Sequence, residues 1–578
     1  MTSKIHFSNF IFNMKSLVLI SILYSASVLS LQSLFTQELC KEYDHDKIYT
    51  ILNNYEYQAN DILKKNKKFN SVTNGWWKSE LVGSSHAALN GGGTNPFGFY
   101  GALLTNTSNN PQNDACRFSC FDDTCPGGKC ANDSTISSFV LGPSDVVAML
   151  MCTPPKVRYY SYDITITGRK DETINNEFYP GQPFGDAINN LNIPIEGNDN
   201  GQGTNDAIFD APILLLVGPD EDTMNEVYKT YLDIGVVNEH QIIKKYVDYK
   251  TAWFVDRSAT KNDNENINEN ENNKGNFIGD IFGILSRVTF GDPSLLSNEE
   301  VTALAKYSEL LYPAQLYMTD STSNQPKKPV SPPIQSRTIG KDGKELDSEY
   351  DDLKEPLKIL NDVISYKWTN AGGIFSGFQT ANYSTEGFYD DWQHILDLNK
   401  TISFAMETRD ATYGFGCCFS GPTGYFYLPS ASVIVFGVLH AEYYDALYHS
   451  LGVDIVQAET TSTSMNDSHW FMDDFLKGSA TRYIRNAEGP RINDDMKNTI
   501  SKYFFALDFL PDGQCSGHPN PKYCFEFNTT TKAWFNKAFF LGERVYGVKS
   551  STVGPPAEKM IPPRLITFDS INLKTDEL

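Results

Sequence analysis

The chain lacks every short motif that would name a reaction. It has no G-x-S-x-G nucleophile elbow, no H-E-x-x-H, no phosphate-binding P-loop and no C-x-x-C redox pair. These absences remove the simplest routes to a serine hydrolase, a zinc protease, a nucleotide hydrolase or a thioredoxin-like enzyme. They leave open any active site assembled from distant segments. Basic charge is also scarce: 48 Lys and Arg stand against 71 Asp and Glu, for a net charge of −23. No basic stripe is available for nucleic acid or anionic lipid, so neither is an expected partner. After residue 30 the best apolar runs are Ile213 to Val217 and Ala431 to Ala441. Both are shorter than the roughly 20 residues that cross a bilayer, so no membrane span is expected after signal cleavage. The turn VGPDED lacks G-x-G-x-x-G and places Asp220, Glu221 and Asp222 where a pyrophosphate would sit, which argues against a Rossmann cofactor. No cofactor and no metal is assigned.

Both ends of the chain carry address signals. Residues 1–30 contain Lys4 and Lys15 but no acid, and Ser16 to Ser30 is apolar with small residues near its end. This is the pattern of a cleaved secretory signal, with the cut after Ser27 or Ser30. Loss of the two lysines takes the charge from −23 to −25. The last four residues, Thr575, Asp576, Glu577 and Leu578, resemble a KDEL-type retrieval tail with Thr in the variable position. The expected address is the endoplasmic reticulum lumen, with a retrieval receptor as partner; secretion is the alternative. Six sequons, at Asn106, Asn132, Asn382, Asn399, Asn466 and Asn528, fit a glycoprotein.

Ten cysteines suit an oxidising compartment. Cys116, Cys120, Cys125 and Cys130 crowd into one short loop, where disulfides are favoured over a zinc site because the spacing is not that of a zinc ribbon. Cys515 and Cys524 can close a local loop, and Cys40 or Cys152 is expected to pair with the crowded loop. Cys417 and Cys418 are adjacent, so each is expected to pair elsewhere than with its neighbour.

About 548 residues after the signal exceed one core. The predicted division is a signal at 1–30, a first domain at 31–319, a linker at 320–348, a second domain at 349–573 and the tail at 574–578. The first domain is predicted to be α/β, with a Cys-rich loop (116–130) and an Asn/Glu-rich insertion (262–274). It contains a β–α–β unit: a buried strand at Ile213 to Val217, a helix through Met224, Val227, Tyr228, Tyr231 and Leu232 closed by Gly235, and a returning strand at Ile242 to Val247. Val157 to Thr167 and Ala252 to Val255 also read as strands. The second domain is predicted to be α+β and strand-rich, with a helix near Leu353 to Ile364 and strands at Ser403 to Met406, Tyr425 to Leu428, Ser432 to Leu439 and Tyr503 to Phe509.

Candidate chemistry concentrates in the second domain. His440 and Glu442 end the strand VIVFGVLH, His449 follows in ALYHSLG, and His469, Asp473 and Asp474 lie in SHWFMDDF beside Trp470 and Phe471. Histidine titrates near neutrality, and a carboxyl beside an aromatic ring can be raised by desolvation, so His440, Glu442, His469, Asp473 and Asp474 are the candidate acid–base groups, with His449 nearby. The plainer reading is a turn-capping histidine and an exposed helix start. Asp390, Asp391 and Trp392 form a second carboxylate–indole group. Asp199 to Asp206 could wrap calcium but lacks EF-hand spacing, and Asn90 to Gly93 could form an anion nest.

The segments VVAMLMCTPPKVRYYSYDIT and GERVYGVKSSTVGPPAEKMIPPRLITF resemble a dispersed family of secreted proteins. The resemblance implies one architecture across most of the mature chain and supplies no activity. Two functions are therefore expected to compete: a luminal hydrolase acting on glycans or esters, and a non-catalytic luminal protein that binds glycan or protein.

Overall fold

The computed structural model describes residues 35–66, 68–81, 98–106, 135–136, 139–170, 182–195, 206–255, 279–291, 295–319, 325–333, 335, 349–380, 382–383, 410–416, 431–457, 469–511, 513–527, 537–548, 552–556 and 559–569. The signal, the Cys116–Cys130 loop, the 262–274 insertion, Cys417, Cys418, the strands expected at 403–406 and 425–428, and the tail lie outside them, as do Asn132, Asn399, Asn466, Asn528 and the 390–392 group. Asn90 to Gly93 also falls outside, and of 199–206 only Asp206 is described. Among the described residues no helix is long and apolar enough to cross a membrane.

The chain mixes helices with three mostly antiparallel sheets, and strands dominate. The largest sheet has twelve described strands. Its single parallel pair, Pro212–Gly218 with Ile242–Tyr246, is joined through helix Glu221–Asp233 as the sequence pattern predicts. Met224, Val227 and Tyr231 bury one helical stripe, and Gly235 follows with φ 72°, a left-handed geometry open to glycine without a Cβ clash. The three acids of VGPDED serve as helix start: Asp220 accepts from the Thr223 amide, and Lys328 reaches Glu221 at 2.8 Å. Lys328 belongs to the stretch expected as linker; its amide also donates to Asp220, and Pro326 and Pro332 are buried. Ala252–Val255 is not a strand. It makes single backbone bonds, Val255 N–H to Leu141 and Asp280 N–H to Trp253, without a ladder.

The other two sheets have five strands each. In the middle sheet, Ala431–Val438 lies between Phe504–Pro511 and Arg564–Asp569. Its period-two alternation separates two cores. Ile434 and Phe436 pack with Leu360, Ile364 and Trp368 of helix Glu349–Asn370, whereas Val433 and Val435 pack with Leu451, Phe471 and Leu541 of the third sheet. The opposite face of the third sheet carries Tyr448 and Tyr546 onto Tyr159 of the large sheet. The layers therefore run helix, middle sheet, third sheet, large sheet, and the helices beyond.

Strand Tyr159–Lys170 explains how the large sheet serves two neighbours. Tyr160, Tyr162, Ile164 and Ile166 enter its apolar core, while the intervening Tyr159, Ser161, Asp163 and Thr165 are equally buried on the other face. Gly101 is required two strands away, in Gly98–Asn106, because a Cβ there would meet Trp77 within 2.6 Å.

Two disulfides are described. Cys515–Cys524 closes the expected local loop. Cys40 and Cys152 pair with each other, not with the Cys116–Cys130 loop. Helix Gln37–Glu42, capped by Thr36, lays Cys40 against the end of strand Val146–Cys152, with the Cα atoms 5.7 Å apart.

Helix His45–Lys65 buries Ile48, Leu52, Tyr55, Ala59 and Leu63, and the same stripe buries Glu56. Glu56 Oε2 accepts from Tyr231 at 2.6 Å, while Oε1 has no hydrogen-bond partner. Burial pushes this carboxyl up to about 8, against the lowering effect of Tyr231. The folded state thus holds a proton that the unfolded chain releases near its ordinary value of 4.5. The stability due to this proton is complete below that value and is lost as pH rises through about 8. Urea unfolding at pH 5 and pH 8.5 is expected to show a loss that Glu56→Gln reduces, with a slope from this group of at most about 1.4 kcal/mol per pH unit.

Candidate functional site

The five acid–base candidates do not converge. His440 opens the short helix His440–Tyr444 directly after the central strand of the middle sheet. It is fully buried, stacked on Tyr444, with Nε2 donating to the Ile561 carbonyl at 3.2 Å. That bond places its proton on Nε2, because a carbonyl can only accept. Burial drives its pKa down to about 3, against the raising effect of the Ile561 bond, so it stays uncharged at neutral pH. Glu442, on the same helix, instead faces Lys477 at 2.5 Å. His469 begins strand His469–Met472, where its backbone pairs with Val453; its side chain lies outside the description. Asp473 and Asp474 start the next helix and turn away to Arg158 of the large sheet, at 2.5 and 3.1 Å.

His440 meets His449, which the sequence groups with it, and Glu543, which the sequence does not single out. His449 and Glu543 lie diagonally across paired strands of the third sheet, where His449 opposes Val545 and Leu451 opposes Glu543. His449 Nε2 approaches Glu543 Oε1 at 2.6 Å, and His440 Nε2 lies 3.8 Å from the same oxygen. The 2.6 Å approach is off the direction of an aligned ring hydrogen bond, so we treat it as electrostatic proximity. Burial raises Glu543 well above the carboxylate range and lowers His449 well below the imidazole range, with His440 adding to the latter. Burial thus disfavours the charged form of each, and all three are buried between the middle and third sheets.

A second buried polar layer joins the third sheet to the large one. Tyr159 donates to Asp410, and Tyr159, Tyr448 and Tyr546 cluster with ring centroids 4.4 to 5.8 Å apart. Thr289 reaches the Tyr448 hydroxyl at 3.3 Å, and Asn189 donates to the Thr552 carbonyl at 2.9 Å. Asp163 receives Lys245 at 3.1 Å, although their strands lie near opposite ends of the sheet order; the sheet must curl to bring them together. Burial pushes Asp163 up to about 6 against the opposing charges of Lys245 and Arg287. The available sequence signal was an acid within VRYYSYDITIT at a position that a buried strand would hide.

The third network, also missed, is Arg482–Asp508–His518. Tyr483 donates to Asp508 Oδ1 at 2.6 Å, and Trp368 donates to the Tyr483 hydroxyl at 3.0 Å. Arg482 and His518 face Oδ2 at 2.8 and 3.2 Å. Burial raises the Asp508 carboxyl, but Arg482 and His518 outweigh it and hold it below the usual range. The Asn520 amide donates to His518 Nδ1 at 3.1 Å, which fixes the His518 proton on the Asp508 side. Nδ1 accepts from Asn520 and Nε2 lies against the Asp508 carboxyl, so the ring is positioned within the core.

Among the described residues no group of three or more His, Cys, Asp or Glu side chains has the geometry of a metal site. The expected glycan acceptors Asn106 and Asn382 sit in strands, where their backbones oppose Thr135 and Phe415.

No protein-family model matches the chain, and no curated protein matches it. Among solved structures, the crystal structure of the VPA0106 protein from Vibrio parahaemolyticus aligns over 93% of this chain and 99% of its own, with 10% identity and a TM-score of 0.31.

Arg158 is the strongest charged link between the halves, and its two acids differ in exposure. The Asp473 side chain is 8% exposed and that of Asp474 38%. Burial raises the Asp473 carboxyl even with Arg158 beside it. Arg158→Ala should therefore cost about 2–4 kcal/mol in denaturant unfolding by stranding Asp473, whereas Asp474→Ala should cost under about 1 kcal/mol.

Proposed function

We propose that the chain is a glycosylated, disulfide-bonded protein of the endoplasmic reticulum lumen that binds an extended polypeptide segment without catalysing a reaction on it. The compartment rests on the two ends of the sequence and on the disulfides, since a pair as buried as Cys40–Cys152 (0% and 1% exposed) is a structural crosslink of the kind made in oxidising compartments. Retrieval by a receptor at Thr575–Leu578 belongs to the same reading.

The observation that carries the binding reading is strand Ile374–Thr380. Among the described residues it pairs on one side only, with Arg564–Asp569, and leaves Ile374, Phe375 and Phe378 57%, 55% and 44% exposed. An edge of this kind accepts another extended chain by backbone hydrogen bonding, with the aromatic side chains supplying apolar contact. The net charge of −23 favours an occupant with basic residues flanking its apolar stretch. The surrounding engagement of the acid–base candidates supports the same choice: Glu442 is held by Lys477, Asp473 and Asp474 by Arg158, and His440 is sealed.

A hydrolase acting on glycans or esters is the second reading. Its support is the Asp473 carboxyl, raised by burial beside Asp474, a pairing that can divide acid and base roles. Arg158 weighs against it by holding both oxygens' negative charge.

Purified full-length protein tested against basic-flanked apolar peptides, a glycan array, and ester and glycoside panels separates the readings. Peptide capture that Phe375→Asp plus Phe378→Asp weakens at least about tenfold is the expected result. Turnover on the panels that disappears in Asp473→Asn would instead establish the hydrolase.

A further inference from the structure

The two described disulfides differ sharply in access. Cys40 and Cys152 are sealed in the core of the large sheet, and their crosslink spans 112 residues. Cys515 and Cys524 are 9 residues apart in a surface loop. Cys515 is half-buried, Cys524 is 7% exposed, and Ser516, Gly517 and Pro519 between them are exposed. Thiol–disulfide exchange requires a thiolate to reach a sulfur along the S–S axis, so access governs which bridge reacts in the folded protein.

We propose that Cys515–Cys524 is a dithiol-exchange site whose reduction unlatches the His518 loop from Asp508. The loop's interior is built around that latch. The His518 amide donates to the Cys515 carbonyl at 3.0 Å, the Cys515 amide to Glu526 at 2.7 Å, and the Asn520 amide to His518 Nδ1 at 3.1 Å. These bonds deliver the His518 side chain, 1% exposed, to within 3.2 Å of Asp508. Cys524 stands opposite Asp508 in the parallel pairing of Phe504–Pro511 with the short strand Cys524–Phe527. The bridge therefore fixes both the loop and the first residue of an outer strand.

The partner is a protein or small-molecule dithiol. Its thiolate attacks Sγ of Cys515, the more exposed residue of the pair, and Cys524 leaves as a thiolate that takes a proton. The second thiol of the partner then resolves the mixed disulfide and releases Cys515. Two electrons pass from the dithiol to the bridge; the partner becomes a disulfide and Cys515 and Cys524 become thiols. Opening the loop removes His518 from Asp508 and leaves that carboxylate to Arg482 and Tyr483.

The test uses the full chain under native conditions with dithiothreitol as the dithiol, alkylation at timed intervals, and peptide mapping by mass spectrometry. Cys515 and Cys524 should be alkylated at least about tenfold faster than Cys40 and Cys152. Hydrogen exchange at the His518 and Asn520 amides should rise by at least about tenfold in the reduced protein, and C515S/C524S should reproduce that rise without reductant. Equal alkylation rates for the four cysteines, or unchanged exchange after complete reduction of Cys515–Cys524, overturns the proposal. If the double variant does not fold, the reduced natural protein decides the matter alone.

Discussion

A charge removed from water must meet an opposite charge or a hydrogen-bond donor, or else give up its charge, and the layering of this protein turns on that constraint. The large sheet is buried on both faces. Its apolar face supports the helices, but the other face carries Tyr159, Ser161, Asp163, Arg287 and Thr289 into contact with a third sheet of Tyr448, Arg544 and Tyr546. An apolar seam would tolerate sliding. A seam of directional partners, such as Tyr159 with Asp410, Thr289 with Tyr448 and Arg158 with Asp473, has one register in which the groups are matched. The halves of the chain are fixed to one another by polar complementarity as well as by the bulk of the tyrosine rings.

The elements legible in the sequence were those whose signal is local. A continuous apolar run followed by acids and a periodic stripe gave Pro212–Gly218 and its helix, and the strands expected at 432–439 and 503–509 lie within two residues of Ala431–Val438 and Phe504–Pro511. Ala252–Val255 has the same β-favouring composition but makes isolated backbone bonds to Leu141 and Asp280 and no ladder among the described residues, so composition misled there. Cys515–Cys524 was readable because 9 residues bring the sulfurs together locally, whereas Cys40–Cys152 depends on a helix docking across 112 residues. The site was legible only as a list of residue types. Nothing in ALYHSLG and GERVYG, nearly a hundred residues apart, announces that His449 and Glu543 lie diagonally across a strand pair, because that relation belongs to register. The likeness between Asp473 and an activated acid was likewise blind to Arg158, which comes from another sheet.

The buried ionisable groups fall into two kinds, and the difference lies in what faces them. Asp508 and Asp473 each meet an arginine, and Asp163 meets a lysine, so their environment is one of compensated charge. Glu56 accepts from Tyr231, and Glu543 lies beside His449 and His440; burial raises both carboxyls. For the second kind, burial favours the protonated form. The two solutions have opposite sensitivities. A carboxylate held below its usual range, as Asp508 is, weakens as acid protonates it, whereas a carboxyl raised by burial weakens as base removes its proton.

That opposition has a structural consequence. The raised carboxyls of Glu56 and Glu543 sit where helix His45–Lys65 docks on the large sheet and where the middle and third sheets face each other, while the lowered carboxyl of Asp508 braces the His518 loop. Rising pH therefore acts on helix docking and on the packing of two sheets, and falling pH acts on the His518 loop. The disulfide from Cys40, in the helix preceding His45–Lys65, to Cys152 in the large sheet crosslinks the region whose docking depends on a retained proton. A covalent bond insensitive to pH over this range thus reinforces the junction that electrostatics leaves most exposed to base.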